Sequence, residues 1–250
     1  MNPWLIGFPT ATAFAGAAIA HAAVNPQSQI FGATIHHTGS PEYLAITFDD
    51  GPNPAITPQL LSLLDRFGVK ATFFVIGRYV QECPEITREI LNRGHLLANH
   101  TQTHPNLFWL GENLVRNELQ QCQKALQEAT GAAAKFFRPP FGMRNPWVVS
   151  TARELGMQTV TWSLIPGDWR DKSLEWLVKR MQPIARNAEK KERKGAGDVL
   201  CLHDGAHRQQ NGDRARTIAA LEYWLPRWRD SGLKFVTIAE AVNSPAIEHG

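Results

Sequence analysis

Two adjacent carboxylates, Asp49 and Asp50, close the apolar run Tyr43 to Phe48 and are followed by Gly51-Pro52. Further along stand His100 and His104, four residues apart, then Arg138 before Pro139-Pro140-Phe141, Asp168 beside Trp169, and His203 after the apolar Val199 to Leu202. Two neutral imidazoles with a carboxylate form a ligand set that leaves positions open for water or substrate, as in catalytic zinc sites. The same set describes the centres of non-haem iron oxygenases, so ligand count alone does not choose between them. Singly, each feature has a plainer explanation. Asp49-Asp50 would serve as an acidic turn, a lone histidine as a hydrogen-bonded structural group, and Trp169 as a core residue. Their joint occurrence at the ends of successive apolar runs is what points to chemistry.

Those runs must be placed by a scaffold. Tyr43–Phe48, Ala71–Ile76, His95–Ala98, Lys135–Phe137, Gln158–Ser163, Val199–Leu202 and Phe235–Ile238 read as strands. Between them, helical spacing runs over Thr57–Phe67, Pro84–Asn92, Glu112–Ala129, Pro146–Leu155, Ser173–Met181 and Ala215–Trp228, the last kinked or broken near Pro226. Residues 25–41 read as a polar, turn-rich lead-in without strong structure. Strands alternating with helices give a mostly parallel sheet. No Gly-x-Gly-x-x-Gly follows the first strand, which disfavours a dinucleotide fold. The expected class is α/β, a distorted or incomplete (β/α) barrel with about seven parallel strands, whose carboxyl-end mouth would collect the titratable groups.

The chain has 250 residues, 43% hydrophobic and 20% charged, enough for one large soluble domain. A net charge of +3 gives no reason to expect a nucleic-acid partner. The basic stretch Arg186–Lys194 reads as a solvated helix end or loop. Cys83, Cys122 and Cys201 form no Cys-x-x-Cys pair; one Cys83–Cys122 bridge stays open, and Cys201 reads as a small buried hydrophobe. From Trp4 to Val24 there is no Lys, Arg, Asp or Glu, and Ala20-His21-Ala22 has the character of a cleavage site. Residues 1–30 are therefore expected to be a signal or a membrane anchor, with the protein secreted or in the cell envelope; a cytoplasmic location stays open.

Thr47-Phe-Asp-Asp-Gly51, His100-Thr-Gln-Thr-His104, Arg138-Pro-Pro-Phe141, Asp168-Trp169 and Leu202-His203 resemble, in order and spacing, the motifs of the polysaccharide deacetylases. These NodB-like, family 4 carbohydrate esterases are metal-dependent and fold as a distorted (β/α) barrel. The likeness spans Tyr43 to Val242 and implies one such domain over residues 41–243. It implies Asp50, His100 and His104 as ligands of a divalent metal, most often zinc. It further implies Asp49 as general base, His203 as general acid, Arg138 as the partner of the base and Asp168 as the partner of the acid. Phe141 stands where the family commonly has Tyr, and with Trp169 and Cys201 it is assigned to the substrate pocket. Two departures stand out: Ile165 where an Asp is frequent, and Cys201 where a Leu is common.

The chemistry agrees with those roles. Amide hydrolysis needs an activated water, a stabilised oxyanion and a protonated leaving amine, and a bound metal brings the pKa of its water down to about 7. Asp49 would take the water's proton, His203 would give one to the nitrogen, and a backbone N–H near Phe141 would face the oxyanion. The expected activity is removal of N-acetyl groups from an N-acetylhexosamine glycan, peptidoglycan or chitin-like. O-Deacetylation of xylan, or glycan binding without catalysis, are the alternatives on the same fold.

Overall fold

The computed structural model describes residues 16, 18–188 and 195–243. An eight-stranded sheet is formed by β1 (His37–Thr38), β2 (Tyr43–Gly51), β3 (Thr72–Val75), β4 (Leu96–Asn99), β5 (Phe136–Phe137), β6 (Gln158–Thr159), β7 (Gly197–His203) and β8 (Lys234–Phe235). The helices that connect and cover it are α1 (Thr57–Arg66), α2 (Gly77–Glu82), α3 (Pro84–Asn92), α4 (Glu112–Thr130), α5 (Pro146–Glu154), α6 (Leu174–Ala188), α7 (Ala215–Asp230) and α8 (Ile238–Asn243). Strand order is β1-β7-β2-β3-β4-β5-β6, with β8 also against β2. Only β1 is antiparallel; the remaining pairings are parallel, in line with the expected class.

The period of two along each strand sorts the core. Leu44, Ile46 and Phe48 of β2, Phe73 and Val75 of β3, and Leu200 and Leu202 of β7 enter the large cluster under the helices. Ala45, Phe74 and Val199 face the other way, into a smaller cluster with Ala98, Phe136 and Val160. That second cluster fills the inside of the curled sheet, so polar residues further along the same faces emerge at its mouth.

Several elements differ from the sequence expectation, each for a tertiary reason. The strand expected over Gln158–Ser163 stops at Thr159, because Ser163 and Leu164 donate their N–H groups to Val199 and so cross to β7. Single bridges, Ile35 to Val160 and Leu164 to Leu200, close the gap in place of a full ladder. α7 runs unbroken through Pro226 and α6 through Pro183, well past Met181. Their mutual packing, which includes Trp224 Nε1 donating to Val178 O at 3.0 Å, outweighs the ~3 kcal/mol a helical proline costs. The last strand ends at Phe235, since Thr237 and Glu240 form a reciprocal capping box that starts α8 at Ile238.

The lead-in is not loose. Fully buried Arg144 donates to the carbonyls of Ala22, Asn25, Ser28 and Gly142, and Thr161 Oγ1 donates to Pro26 O at 2.6 Å. Burial pushes the Arg144 guanidinium down to about 10. Its partners are main-chain oxygens, which hydrophobic periodicity cannot reveal. Residues 18–24 are helical, with Ala22 and Ala23 buried. The rest of the apolar start, residues 1–15 and 17, lies outside the described residues, as do residues 189–194 of the basic stretch. No helix among the described residues is long and apolar enough to cross a membrane. All three cysteines are free thiols, so the Cys83–Cys122 bridge is not formed.

Candidate active and metal site

Alternation on β2 carries Thr47 and Asp49 to the inner face, where Arg138 meets both. Its Nη1 lies 2.7 Å from Thr47 Oγ1 and 2.6 Å from Asp49 Oδ1, and Nη2 donates to Thr161 O at 2.9 Å. The guanidinium is fully buried, 4.0 Å from the centre of the Phe74 ring. Asp49 also accepts from Cys201 Sγ at 3.4 Å. Burial, with Asp49 beside it, pushes the Cys201 thiol well up and keeps its proton for that bond. Cys201, expected in the substrate pocket, instead sits fully buried behind Asp49 and does not line the cavity. The period of two explains this placement, because Cys201 lies two residues deeper than His203 on the same face of β7.

A regular strand would send Asp50 to the opposite face from Asp49. The expectation that the strand ends before the acids is not met: β2 continues to Gly51, but a register shift between Asp49 and Gly51, with Asp50 at φ 72°, turns its carboxylate toward the mouth. Gly51 and Gly205 make this turn fit. A Cβ on Gly51 would collide with the Asp204 carboxylate, and one on Gly205 with the Asp50 carbonyl.

The His100–His104 segment is a tight loop, not a helix. Thr101 and His104 adopt φ values of 70° and 61°, uncommon for residues with a Cβ and a genuine outlier for β-branched Thr101. Side-chain bonds stabilise the loop: Thr101 N donates to Asn99 Oδ1 at 2.8 Å and His104 N to Thr101 Oγ1 at 3.0 Å. Among the described residues, the non-glycine residues with left-handed φ are Asp50, Thr101, His104 and Phe141, all at or between predicted site positions. Such strain concentrates where a scaffold over-determines a functional geometry.

Across the mouth, His203 Nδ1 donates to Asp168 Oδ1 at 2.9 Å, while Asp168 Oδ2 accepts from His203 N and Thr217 Oγ1 at 2.8 and 2.9 Å. Burial alone would lower His203, but the Asp168 carboxylate outweighs it and raises the imidazole to about 9. Donor atoms of Asp49, Cys201 and His203 lie within 4.8 Å of one another, so the two predicted proton-handling groups face a common space.

The residues expected to hold a metal fit one. Asp50 Oδ1 is buried without a hydrogen-bond partner. It lies 3.2 Å from His104 Nε2 and 3.5 Å from His100 Nε2. These separations are mostly long for hydrogen bonds and near the roughly 3.3 Å edge of a tetrahedron with 2.0–2.1 Å ligand bonds. His100 Nδ1 faces Arg138 O at 2.7 Å, which places the proton there and the lone pair on Nε2. Burial, with His100 nearby, lowers His104 to about 3, leaving it neutral. Burial pushes Asp50 up, yet the surrounding imidazoles hold it well below the usual carboxylate range.

A further imidazole, not expected from the sequence, joins this group. His207 Nδ1 lies 3.7 Å from Asp50 Oδ2, and its ring stacks on His104 with centroids 4.4 Å apart and planes 17° apart. The available signal was the spacing His203-x-x-x-His207, which repeats that of His100 and His104.

Above these groups opens a cavity of about 580 Å³. Phe141, Trp162, Ile165 and Trp169 give it apolar walls. Trp169 meets the His203 ring edge-on at 4.8 Å, and Phe141 meets His104 at 4.7 Å. Phe141 and Trp169 are largely exposed, which suits contact with a ligand more than core packing.

A family model described as "Polysaccharide deacetylase" matches residues 36–160. The chain is 38% identical over 199 residues to a peptidoglycan-N-acetylglucosamine deacetylase of Bacillus cereus, covering 79% of this chain and 86% of that protein. It is 32% identical to a chitooligosaccharide deacetylase of Azorhizobium caulinodans, covering 81% and 96%. Among solved structures, the Bc1960 peptidoglycan N-acetylglucosamine deacetylase superimposes with a TM-score of 0.72 at 30% identity, over 83% of this chain and 91% of that one. A mutant of BA3943, described as a family 4 pseudoenzyme with restored activity, gives a TM-score of 0.72 at 26% identity, over 84% and 71%.

Proposed function

Because the chain belongs to the polysaccharide deacetylase family, we propose that it is a divalent-metal-dependent hydrolase that removes N-acetyl groups from an N-acetylhexosamine glycan. A relative described as a pseudoenzyme makes membership alone an insufficient argument for catalysis. The observation that carries the reading is the pair of proton-handling systems, Asp49–Arg138 and His203–Asp168, facing each other beside Asp50, His100 and His104. Neither system serves a protein that only binds glycan, and an oxygenase needs neither.

Asp50, His100 and His104 would hold the metal, most often zinc in such a donor set, and it would supply Lewis-acid polarisation of the acetyl carbonyl. Asp49, held in place by Arg138 at 2.6 Å, accepts a proton from water as the water oxygen bonds to the acetyl carbon. Protonated His203 gives its proton to the amide nitrogen as the C–N bond breaks, leaving acetate and a free amine. Asp168 fixes the His203 ring and favours its charged form. Trp169, Trp162 and Phe141 exclude water around the acetyl group and flank the sugar. Cys201 supports Asp49 from behind. On this reading the deacetylase domain covers residues 41–243, and the cell envelope is the location that suits such a substrate.

The test is acetate release from N-acetylglucosamine oligomers and from peptidoglycan, followed by mass spectrometry. Chelation should abolish release and Zn²⁺ or another first-row divalent ion should restore it. Full turnover by protein that elemental analysis finds metal-free would overturn the proposal.

A further inference from the structure

The implied metal set contains three side chains, yet a group of mutually close donors around Asp50 includes a residue outside that set. Donor atoms of Asp50, His104 and His207 all lie within 4.8 Å of one another. Three imidazoles thus surround one carboxylate: His100 and His104 through Nε2 toward Oδ1, at 3.5 and 3.2 Å, and His207 through Nδ1 toward Oδ2, at 3.7 Å. The last separation is too long for a hydrogen bond and comparable with the spacing of donors around one ion. The loop that carries His207 is also held in place. The His207 carbonyl accepts from Arg78 Nη2 and from Tyr79 Oη, and the Ala206 carbonyl accepts from Tyr79 Oη at 3.1 Å. Buried Tyr79 belongs to α2, so a rigid element sets where the loop presents this imidazole.

We propose that His207 is a fourth protein ligand of the metal, beside Asp50, His100 and His104. The inference rests on the metal-dependent reading above and adds to it. A fourth side chain strengthens retention of the ion and leaves one fewer position open than three residues do. It also places a ligand and the proposed acid, His203, on a single segment after β7, so that ordering of this segment serves both.

The plainer alternative is that His207 packs on His104 or touches substrate only. To separate the two, metal-stripped full chain is loaded with Zn²⁺. Imidazole number is read by X-ray absorption, and affinity by competition with a chromophoric chelator, in wild type, His207→Ala, His207→Phe and His104→Ala. His207→Phe keeps an aromatic ring for stacking without a donor. The proposal expects one imidazole fewer in both His207 variants and an affinity loss beyond the 10–100-fold typical of residues that only orient ligands. An unchanged imidazole number with less than about a tenfold affinity change, while His104→Ala loses the metal, overturns the role of His207 and leaves the metal-dependent reading intact. Wild-type affinity in His207→Phe alone assigns the residue to stacking and likewise overturns the proposal. If His104→Ala also binds Zn²⁺ as wild type does, the metal site itself fails, and this inference with it.

Discussion

At the scale of single residues, neighbours in sequence acquire different environments. Asp49 is bonded to a buried guanidinium, whereas Asp50 has an oxygen without a partner amid imidazoles. Asp50→Ala should therefore lose metal, while Asp49→Asn should retain it and lose kcat with little change in KM. Metal content and kcat measured on both variants decide this, and the reverse pattern would exchange the roles. His203 provides a test by pH. Its folded value of about 9 lies above the ordinary 6.5, so the acid form persists through neutral pH and is lost as pH rises through about 9. Activity should fall across that window. Asp168→Asn removes the main raising influence, so the alkaline limb should move to lower pH; a limb left near 9 would remove His203 from the role of acid. His203→Ala should reduce kcat by about 10²–10⁴-fold, and less for O-acetyl esters than for amides.

At the scale of elements, the ends of β2 and β7 have to meet at main-chain contact for the two acids to reach the mouth. Asp204, just past β7, is buried under that junction. It accepts from Thr57 Oγ1 at 2.5 Å, and Thr57 in turn accepts from Asn53 N at 2.8 Å. Burial pushes the Asp204 carboxyl up to about 7, so it tolerates poorly the loss of a donor. Thr57→Val keeps the shape of α1 but leaves buried polar groups unpaired, which should cost about 1–3 kcal/mol in urea unfolding. A loss below a few tenths would mean that the junction does not depend on this bond. None of this network was expected from the sequence, since its members are ordinary residues brought together from two distant segments.

At the scale of the whole molecule, the lead-in acts as part of the barrel. Pro26 O accepts from Thr161 Oγ1, and the Thr161 carbonyl holds the same Arg138 that pairs with Asp49. Arg144 anchors the lead-in through carbonyls alone. Arg144→Ala should destabilise the fold by at least about 1.5–3 kcal/mol, the range for hydrogen bonds made by a charged group. Unfolding measured beside the wild type checks it, and equal stability would make residues 22–28 a passive tail.

Local patterning in the chain is enough for the scaffold and for nominating most of the residues gathered at the mouth. Strand and helix periods are local signals, so β2, β3, β4 and α3 are legible to within a few residues, and motif order singles out Asp49, Asp50, His100, His104, Arg138, Asp168 and His203. Local signals could not supply contacts between distant segments. The register shift that turns Asp50, the crossing of Ser163 to β7, the continuation of α7 through Pro226 and the burial of Cys201 behind Asp49 all depend on which surfaces meet. His207 belongs with them. Its distance to Asp50 is set by a loop that Arg78 and Tyr79 hold from another helix, and only the folded chain brings those groups together.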